Sequence, residues 1–153
     1  MHTPEHWIKK YGLESHPEGG YFRETHRDTR IHKEIEGFKG PRNASTAIYF
    51  LLKAGQVSRM HRILSDEVWH FHTGTRLAVH ILNAQGYKVM YLGPDDHFQG
   101  VVPAGSWFGA EPLPSLSTPE LPIYALVGCT VAPGFDFEDF EFADKGLLET
   151  KYG

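Results

Sequence analysis

Apolar residues in the second half of the chain form short runs that turn residues interrupt. Ser45–Leu52 is largely apolar and rich in β-formers, which indicates a strand buried on both faces. Glycines and prolines separate most of the runs that follow. Short strands at a spacing of roughly ten residues, without helical stretches between them, predict an all-β antiparallel sandwich or barrel. The further predicted strands are Ser58–Leu64, Glu67–Thr73, Arg76–Asn83, Tyr87–Leu92, Gln99–Val102, Ser106–Glu111 and Pro122–Val131.

The two ends of the chain carry other patterns. Thr3-Pro4 is typical of a helix start, the apolar residues after it recur at helical spacing, and Gly12 predicts the helix end. Tyr21–Arg27 alternates as a strand does, whereas residues 28–44 are polar and predict an exposed excursion. A phenylalanine-rich segment near the C-terminus is expected to seal the core or a dimer contact, and a short helix is predicted at Lys145–Thr150.

Composition places the chain among single-domain globular proteins. Its 153 residues predict one domain over 1–153, and 41% hydrophobic with 22% charged residues does not indicate disorder. The net charge of −4 and the absence of a basic run argue against a nucleic-acid partner. No apolar run approaches the ~20 residues of a membrane span, and the N-terminus does not resemble a signal peptide. With Cys129 as the single cysteine, a cytoplasmic location is the expectation.

Two motifs carry a resemblance to a known superfamily. Gly55, His61, Glu67 and Gly74 stand at the spacing of the first cupin motif, and Pro103-Ala-Gly-Ser-Trp-Phe108 is similar to the second. Further segments resemble a family of small single-domain cupins of undefined function, namely Pro17–Thr25, Asp66–His72, Val102–Trp107 and Val131–Phe135. The resemblance implies a double-stranded β-helix, or jelly-roll barrel, usually dimeric, with a small-molecule pocket in its mouth. A homodimer is therefore expected.

The metal site of the superfamily is incomplete in this sequence. The resemblance places His61 and Glu67 at two of the four ligand positions, but Ile63 and Phe108 stand where the other two histidines would be. Two protein ligands are too few for a tight divalent site, so no cofactor is predicted. If Gly74-Thr75 were a hairpin turn, His80 would join His61 and Glu67 as a third ligand. A three-residue loop would reverse that face, and a bulge near Glu67 would instead bring His70 inward, so the sequence leaves the alternatives open.

Acid–base chemistry remains available without a metal. A histidine beside a carboxylate can remove and return a proton next to a carbonyl group, so His61 and Glu67 are the predicted catalytic pair. Some metal-free cupins are sugar-nucleotide epimerases, and the resemblance therefore favours an isomerase or epimerase acting on a sugar, sugar phosphate or nucleotide-type ligand.

The predicted ligand contacts are mostly aromatic. Arg23 suits a phosphate or carboxylate, and an aromatic wall is expected to pack against a sugar ring. The wall comprises Tyr49, Trp69, Phe71, Trp107 and Phe108, with His80 as a further contact. The alternative hypothesis is a non-catalytic binding or sensor protein. A metal-dependent oxygenase ranks third, because Ile63 and Phe108 weaken it.

Overall fold

Strands dominate the computed structural model, which describes residues 1–152 and all of their side chains except those of residues 147 and 150. The helices are α1 (Pro4–Tyr11) and α2 (Lys145–Tyr152). The strands are β1 (Glu14–Ser15), β2 (Tyr21–Arg27), β3 (Ile31–His32), β4 (Arg42–Asn43), β5 (Thr46–Lys53), β6 (Ser58–Arg62), β7 (Asp66–Gly74), β8 (Arg76–Asn83), β9 (Gly86–Leu92), β10 (Gln99–Val102), β11 (Trp107–Leu113), β12 (Tyr124–Ala132) and β13 (Glu141–Phe142).

The strands form two main sheets whose order confirms the predicted jelly roll. A six-stranded sheet runs β1-β2-β5-β12-β7-β10 and a five-stranded sheet runs β13-β6-β11-β8-β9. From β5 to β8 each strand lies in the other sheet from its predecessor, as it does again from β9 to β13. The chain therefore winds around a barrel, and the all-β prediction is confirmed. A separate two-stranded sheet, β3-β4, lies within the polar excursion at 28–44.

The turn between β7 and β8 corrects one prediction. Gly74 and Thr75 do not close a hairpin, because β7 pairs with β10 and β12 while β8 pairs with β9 and β11. A Cβ atom on Gly74 would stand 2.2 Å from the carbonyl oxygen of Tyr124, and the φ angle of 115° also favours glycine. The glycine carries the chain from one sheet to the other at this point.

The core lies between the two sheets. Phe50, Trp69 and Phe71 from the six-stranded sheet are buried together with Ile81 and Phe108 from the five-stranded sheet. Alternation along each strand places these side chains on the inner faces, so their burial follows from the period of two. At about 1.5–3 kcal/mol for each fully buried large side chain, this cluster is a main source of stability.

Helix α1 closes the outer face of the six-stranded sheet. Thr3 accepts a hydrogen bond from the His6 backbone N–H, and Gly12 ends the helix in the left-handed conformation at φ 61°. The helix packs its aromatic face on a second cluster that contains Leu51 and Tyr124. No helix of the described residues is long and apolar enough to cross a membrane.

The excursion at 28–44 is tied to the C-terminal part of the chain. The buried Arg42 guanidinium donates two hydrogen bonds to the Asp139 carboxylate, at 2.7 and 2.9 Å. Most of the excursion is exposed as predicted, but this pair connects it to the 3-10 turn at Phe137–Asp139. The segment that contains this turn also borders the cavity described below.

Candidate active site

One large cavity opens at the inner face of the six-stranded sheet. Its volume is about 750 Å³, within the size range of small-molecule sites. Ile48 on β5, Glu67 on β7 and Cys129 on β12 form its floor, and His61 on β6 closes it from the other sheet. Phe135, whose backbone N–H donates to the hydroxyl oxygen of Thr46 at 2.9 Å, borders its rim. Both polar and apolar side chains therefore line the cavity at the mouth of the barrel.

His61 is hydrogen-bonded through both ring nitrogens. Nδ1 lies 2.6 Å from the carbonyl oxygen of Arg59, and Nε2 lies 2.9 Å from Oε2 of Glu18. A carbonyl oxygen can only accept, so Nδ1 carries a proton and donates. A second proton is therefore held between Nε2 and the Glu18 carboxylate. The imidazole side chain is only 3% exposed.

A double-glycine turn brings Glu18 to His61. A Cβ atom on Gly19 would stand 2.1 Å from the carbonyl oxygen of Val57, and one on Gly20 would stand 2.6 Å from that of Leu51. Both glycines have positive φ, at 111° and 77°. The close approach lets the Glu18 carbonyl oxygen accept a hydrogen bond from the Arg59 backbone N–H at 2.8 Å, which ties the turn to β6.

The pKa shifts of Glu18 and His61 favour an ion pair. Burial alone would raise the pKa of Glu18, but the hydrogen bond and the charge of His61 outweigh burial and hold it below the usual value. Burial likewise opposes the charge on His61, yet Glu18 outweighs it and raises the histidine pKa. These two directions favour a proton on His61 and an ionised Glu18.

Glu67 is the second buried carboxyl group that lines the cavity, and its pKa is shifted in the opposite direction from that of Glu18. Burial raises its pKa to about 7, and the negative charge of Glu18 contributes in the same direction. The pKa of the neighbouring Cys129 thiol is raised well above its usual value by burial and by Glu67, so the thiol stays protonated. Near neutral pH Glu67 therefore exchanges a proton readily, while Glu18 does not.

His16 lies beside Glu18 and also lines the cavity. Its Nδ1 accepts a hydrogen bond from the Glu18 backbone N–H at 3.0 Å. Burial lowers its pKa, and the attraction of Glu18 only partly opposes this, so His16 is neutral at pH 7. The ring packs edge-on against Phe22 and Phe50, with centroid distances of 4.5 and 5.8 Å.

Only two of the four positions of the superfamily's metal site, His61 and Glu67, carry a donor side chain in this cavity. His61 directs its Nε2 to Glu18 instead of presenting a free lone pair, and Ile63 and Phe108 offer no donor atom. Among the residues that the structure describes, no three His, Cys, Asp or Glu side chains are grouped so as to hold a metal ion. His80, the predicted third ligand, is on β8 with its Nδ1 2.6 Å from the hydroxyl of Tyr87.

The structure brings only some of the predicted site residues together. His61, Glu67 and Arg23 line the cavity, while their predicted catalytic and binding roles stay predictions. The guanidinium of Arg23 donates to the carbonyl oxygen of Tyr11 at 3.3 Å, beside Gly12 at the rim. His70, for which a bulge would have offered an inward position, instead lies 3.2 Å from the hydroxyl of Thr130 and bonds Gln99.

The predicted aromatic wall is corrected. Trp69, Phe71 and Phe108 are core residues with exposures of 1%, 8% and 1%, and they do not border the cavity. Tyr49 points to the opposite face of β5, where it stacks on Tyr11 at a centroid distance of 4.5 Å. Trp107 is buried under the guanidinium of Arg62. Tyr49 thus lies on the other face of its strand, whereas Trp69 and Phe71 share the inner face with Glu67 but lie farther along β7, in the core. The motifs alone did not establish how deep in the barrel each residue lies.

Aromatic contact with the cavity comes from other residues. Phe22, Phe135 and Phe137 line it, and the last of these is 55% exposed. Phe135 and Phe137 belong to the phenylalanine-rich segment that was expected to seal the core or a dimer contact. The polar turn around His16 predicts a surface position for this residue, but its side chain is only 7% exposed. Glu18 was not proposed as a site residue, although the Pro17-Glu-Gly-Gly20 segment had already been matched to the family pattern. Its glycines were the available signal, because adjacent glycines mark close backbone approach.

A jelly-roll barrel with a polar pair on its inner face and a cavity at its mouth is the architecture of a cupin. Residues 5–143 match the family described as Cupin superfamily (DUF985), and the chain belongs to that family. The uncharacterized protein YML079W of Saccharomyces cerevisiae is 30% identical over 168 residues, which cover 95% of this chain and 77% of the yeast protein.

Solved structures extend the comparison. A hypothetical protein from Leishmania major has a TM-score of 0.88 at 34% identity and covers 98% of this chain and 93% of its own. Protein SO0799 from Shewanella oneidensis has a TM-score of 0.82 at 34% identity, over 99% and 91% of the two chains. Oxalate decarboxylase of Bacillus subtilis, at 15% identity and a TM-score of 0.59 over 90% and 32%, shares the fold alone.

Proposed function

We propose that the protein binds a small carbonyl compound and acts on it as a metal-independent acid–base isomerase or epimerase. The expected ligand class is a sugar, a sugar phosphate or a nucleotide sugar. One observation carries the proposal: the two buried carboxyl groups of the cavity have pKa values that are driven apart. Glu18 is ionised against His61, whereas the pKa of Glu67 is raised to about 7. Separated pKa values are the usual basis for assigning an acid and a base.

In the proposed reaction Glu67 is the general base. Its carboxylate takes the proton from the carbon next to the carbonyl group, the C–H electron pair forms the C=C bond of an enolate, and the carbonyl π pair moves to oxygen. Return of a proton to the other face of that carbon gives an epimer. Return to the neighbouring carbon, with transfer of the hydroxyl proton to the oxyanion, gives an isomer. The Glu18–His61 pair holds the second proton that these steps need, 2.9 Å apart on Oε2 and Nε2.

The size and rim of the cavity support the ligand class. A volume of about 750 Å³ accommodates a monosaccharide phosphate. Arg23 and Arg27 stand at the rim, and a guanidinium group suits phosphate oxygens. Arg27 is paired with Glu24 at the same rim, which leaves Arg23 as the expected phosphate contact.

Proton exchange in D₂O tests the proposal. The wild-type protein is incubated with aldoses, ketoses, their phosphates and uridine diphosphate sugars, and loss of the α-proton signal is followed by ¹H NMR. We expect exchange in one of these classes, and a fall of about 10²–10⁴-fold in Glu67→Gln, the range for general acid–base catalysis. His61→Gln is expected to lower exchange while ligand binding is largely kept.

The controls separate this function from the alternative one. His72→Gln makes the same kind of replacement on the exposed face of β7 and is expected to exchange as fast as wild type. Saturable binding of one class with no exchange in wild type would contradict catalysis and favour a non-catalytic binding protein. Exchange that survives in Glu67→Gln would contradict the assignment of the base.

A further inference from the structure

His16 is a second histidine in the cavity that the proposed proton transfers leave unused. The geometry points to His16 as the group that hydrogen-bonds the developing oxyanion, with the N–H of a neutral imidazole. This inference rests on the proposed function and adds the residue that would bind the carbonyl oxygen of the substrate. His16 would then be a catalytic residue, because it touches the reacting oxygen.

The position of the proton on the ring follows from one hydrogen bond. The backbone N–H of Glu18 donates to Nδ1 of His16 at 3.0 Å, so Nδ1 is an acceptor and carries no proton. A neutral ring must then carry its proton on Nε2. The structure thus selects a single tautomer, in which Nε2 is a hydrogen-bond donor.

The surroundings of the ring keep it neutral. Its side chain is 7% exposed and packs edge-on against Phe22 and Phe50. Burial lowers its pKa, and the charge of His61 acts in the same direction. The nearest carboxylate oxygen is Oε1 of Glu18, at 3.9 Å from Nδ1. The same carboxylate lies closer to His61, with Oε2 at 2.9 Å from Nε2, and therefore pairs with that ring.

Nε2 is free for a ligand. Within residues 1–152 no hydrogen bond of the structure engages this atom, and the residue lines the cavity that also contains Glu67. Nε2 is not among the buried side-chain atoms that lack a partner, so it is accessible from the cavity, where a ligand oxygen can accept its hydrogen bond. A neutral imidazole is a suitable donor to an enolate oxygen, since it stabilises negative charge without transferring its own proton first.

One short segment positions both histidines. His16, Pro17 and Glu18 are consecutive, so the turn that delivers the Glu18 carboxylate to His61 also delivers its backbone N–H to His16. The ring orientation of His16 is therefore coupled to the placement of the acid–base pair. A structural role for His16 would predict that its loss disturbs His61, whereas an oxyanion role would predict lost ligand affinity with His61 in place.

The first measurement needs no ligand. In the full chain labelled with ¹⁵N-histidine, long-range ¹H–¹⁵N spectra at pH 7 report the tautomer of each ring. We expect His16 as the neutral Nε2–H form and His61 with protons on both nitrogens. A charged His16, or the Nδ1–H tautomer, would overturn the inference.

The second measurement uses acetohydroxamate, a small planar mimic of an enolate, after treatment of the protein with EDTA. We expect saturable binding to wild type with a shift of the His16 Nε2 resonance. His16→Leu should weaken binding about tenfold, the effect of leaving the ligand oxygen without its hydrogen-bond donor. His16→Gln keeps an N–H donor and should weaken it less, and His72→Gln should bind as wild type.

The outcomes separate the inference from the proposed function. Equal affinity in wild type and both His16 variants, or absence of acetohydroxamate binding, would overturn the oxyanion role. Unchanged His61 resonances in His16→Gln show that the loss of affinity is not a structural effect, and that variant replaces His16→Leu if the latter does not fold. The α-proton exchange of the wild-type protein is measured separately, so failure of one test does not decide the other.

Discussion

At the residue scale, two glutamates of the same chemical type acquire opposite properties in one cavity. Glu18 has a histidine 2.9 Å from its carboxylate, which outweighs its burial. Burial and the charge of Glu18 raise the pKa of Glu67, and the charge of His61 offsets this rise only in part. The difference comes from which carboxylate reaches the imidazole, and the turn at Gly19-Gly20 decides that.

The raised pKa of Glu67 predicts a pH-dependent stability. Its pKa is about 7 in the folded chain and near 4.5 when unfolded, so the folded state binds the proton more tightly. The free energy of unfolding should therefore fall as the pH rises from about 4.5 to 7, by up to about 3 kcal/mol in total. Glu67→Gln lacks this contribution. Between pH 5 and pH 8 the free energy of unfolding of the variant should therefore fall less than that of the wild type.

Urea unfolding of both proteins at pH 5 and pH 8 measures this difference. Both proteins contain the other titratable groups that face Glu67, namely Glu18, His61, His16 and Cys129. The contributions of these groups to the pH dependence should therefore largely cancel when the two proteins are compared. Parallel pH dependences in wild type and variant would contradict the raised pKa.

At the element scale, the Gly19-Gly20 turn is what assembles the site. A side chain at Gly19 would collide with the backbone of the segment before β6, at 2.1 Å from the Val57 carbonyl oxygen. The adjacent hydrogen bond from the Arg59 N–H to the Glu18 carbonyl oxygen depends on the same approach. The turn therefore couples β2 to β6, which belong to different sheets.

Gly19→Ala should separate the Glu18–His61 pair. Steric collision and the φ of 111° together should destabilise the protein by about 2 kcal/mol or more, and the histidine pKa should fall when its carboxylate partner moves away. Thermal unfolding and an NMR titration of His61 measure the two effects.

Gly55→Ala is the matched control for backbone strain. Its φ of 79° is also positive, but nothing lies within 4 Å of its Cβ position. It should cost about 1 kcal/mol and leave the His61 titration unchanged. Equal effects of the two substitutions would show that the close approach at Gly19 has no role.

At the scale of the whole molecule, an ion pair joins the polar excursion to the cavity rim. Arg42 is 4% exposed and bonds Asp139 through two nitrogens, and the same 3-10 turn presents Phe137 to the cavity. Removal of one partner leaves a buried charge without compensation. The rim of the cavity therefore depends on a residue far from it in sequence.

Arg42→Ala should destabilise the protein by about 3 kcal/mol, the usual cost of breaking a buried pair. It should also increase amide hydrogen exchange in residues 135–140, which mass spectrometry of peptides can localise. Lys39→Ala removes an exposed cation from the same excursion, and it should have little effect on either measurement. Unchanged exchange at the rim in Arg42→Ala would contradict this linkage.

The homodimer expected from the family resemblance is also a prediction at this scale. Phe98 and Val101 are 63% and 47% exposed at the edge of the six-stranded sheet, in or beside β10. Light scattering should give twice the chain mass, and a charge introduced by Val101→Glu should shift the protein toward monomer if this edge is in the contact. A monomeric mass for wild type would contradict the prediction.

The sequence by itself determined the strand pattern, the fold class and the two motifs. Short apolar runs and glycine turns predicted an antiparallel sandwich or barrel, and β8 and β10 begin and end at the predicted residues. The resemblance of the motifs to the cupin superfamily implied the jelly roll. The sequence also determined that Ile63 and Phe108 cannot supply metal ligands. These are local properties of residue type and spacing, which a single chain displays directly.

Only the tertiary structure decided which side chains meet in the cavity. The chain changes sheets at Gly74, which places His80 on β8 in the other sheet from Glu67. Strand face and depth in the barrel keep the predicted aromatic wall away from the cavity. Glu18 and His61 are far apart in sequence, and only the close approach at Gly19 places them 2.9 Å apart. The pKa of Glu67 follows from that contact and from burial, since both depend on distances that no sequence pattern encodes.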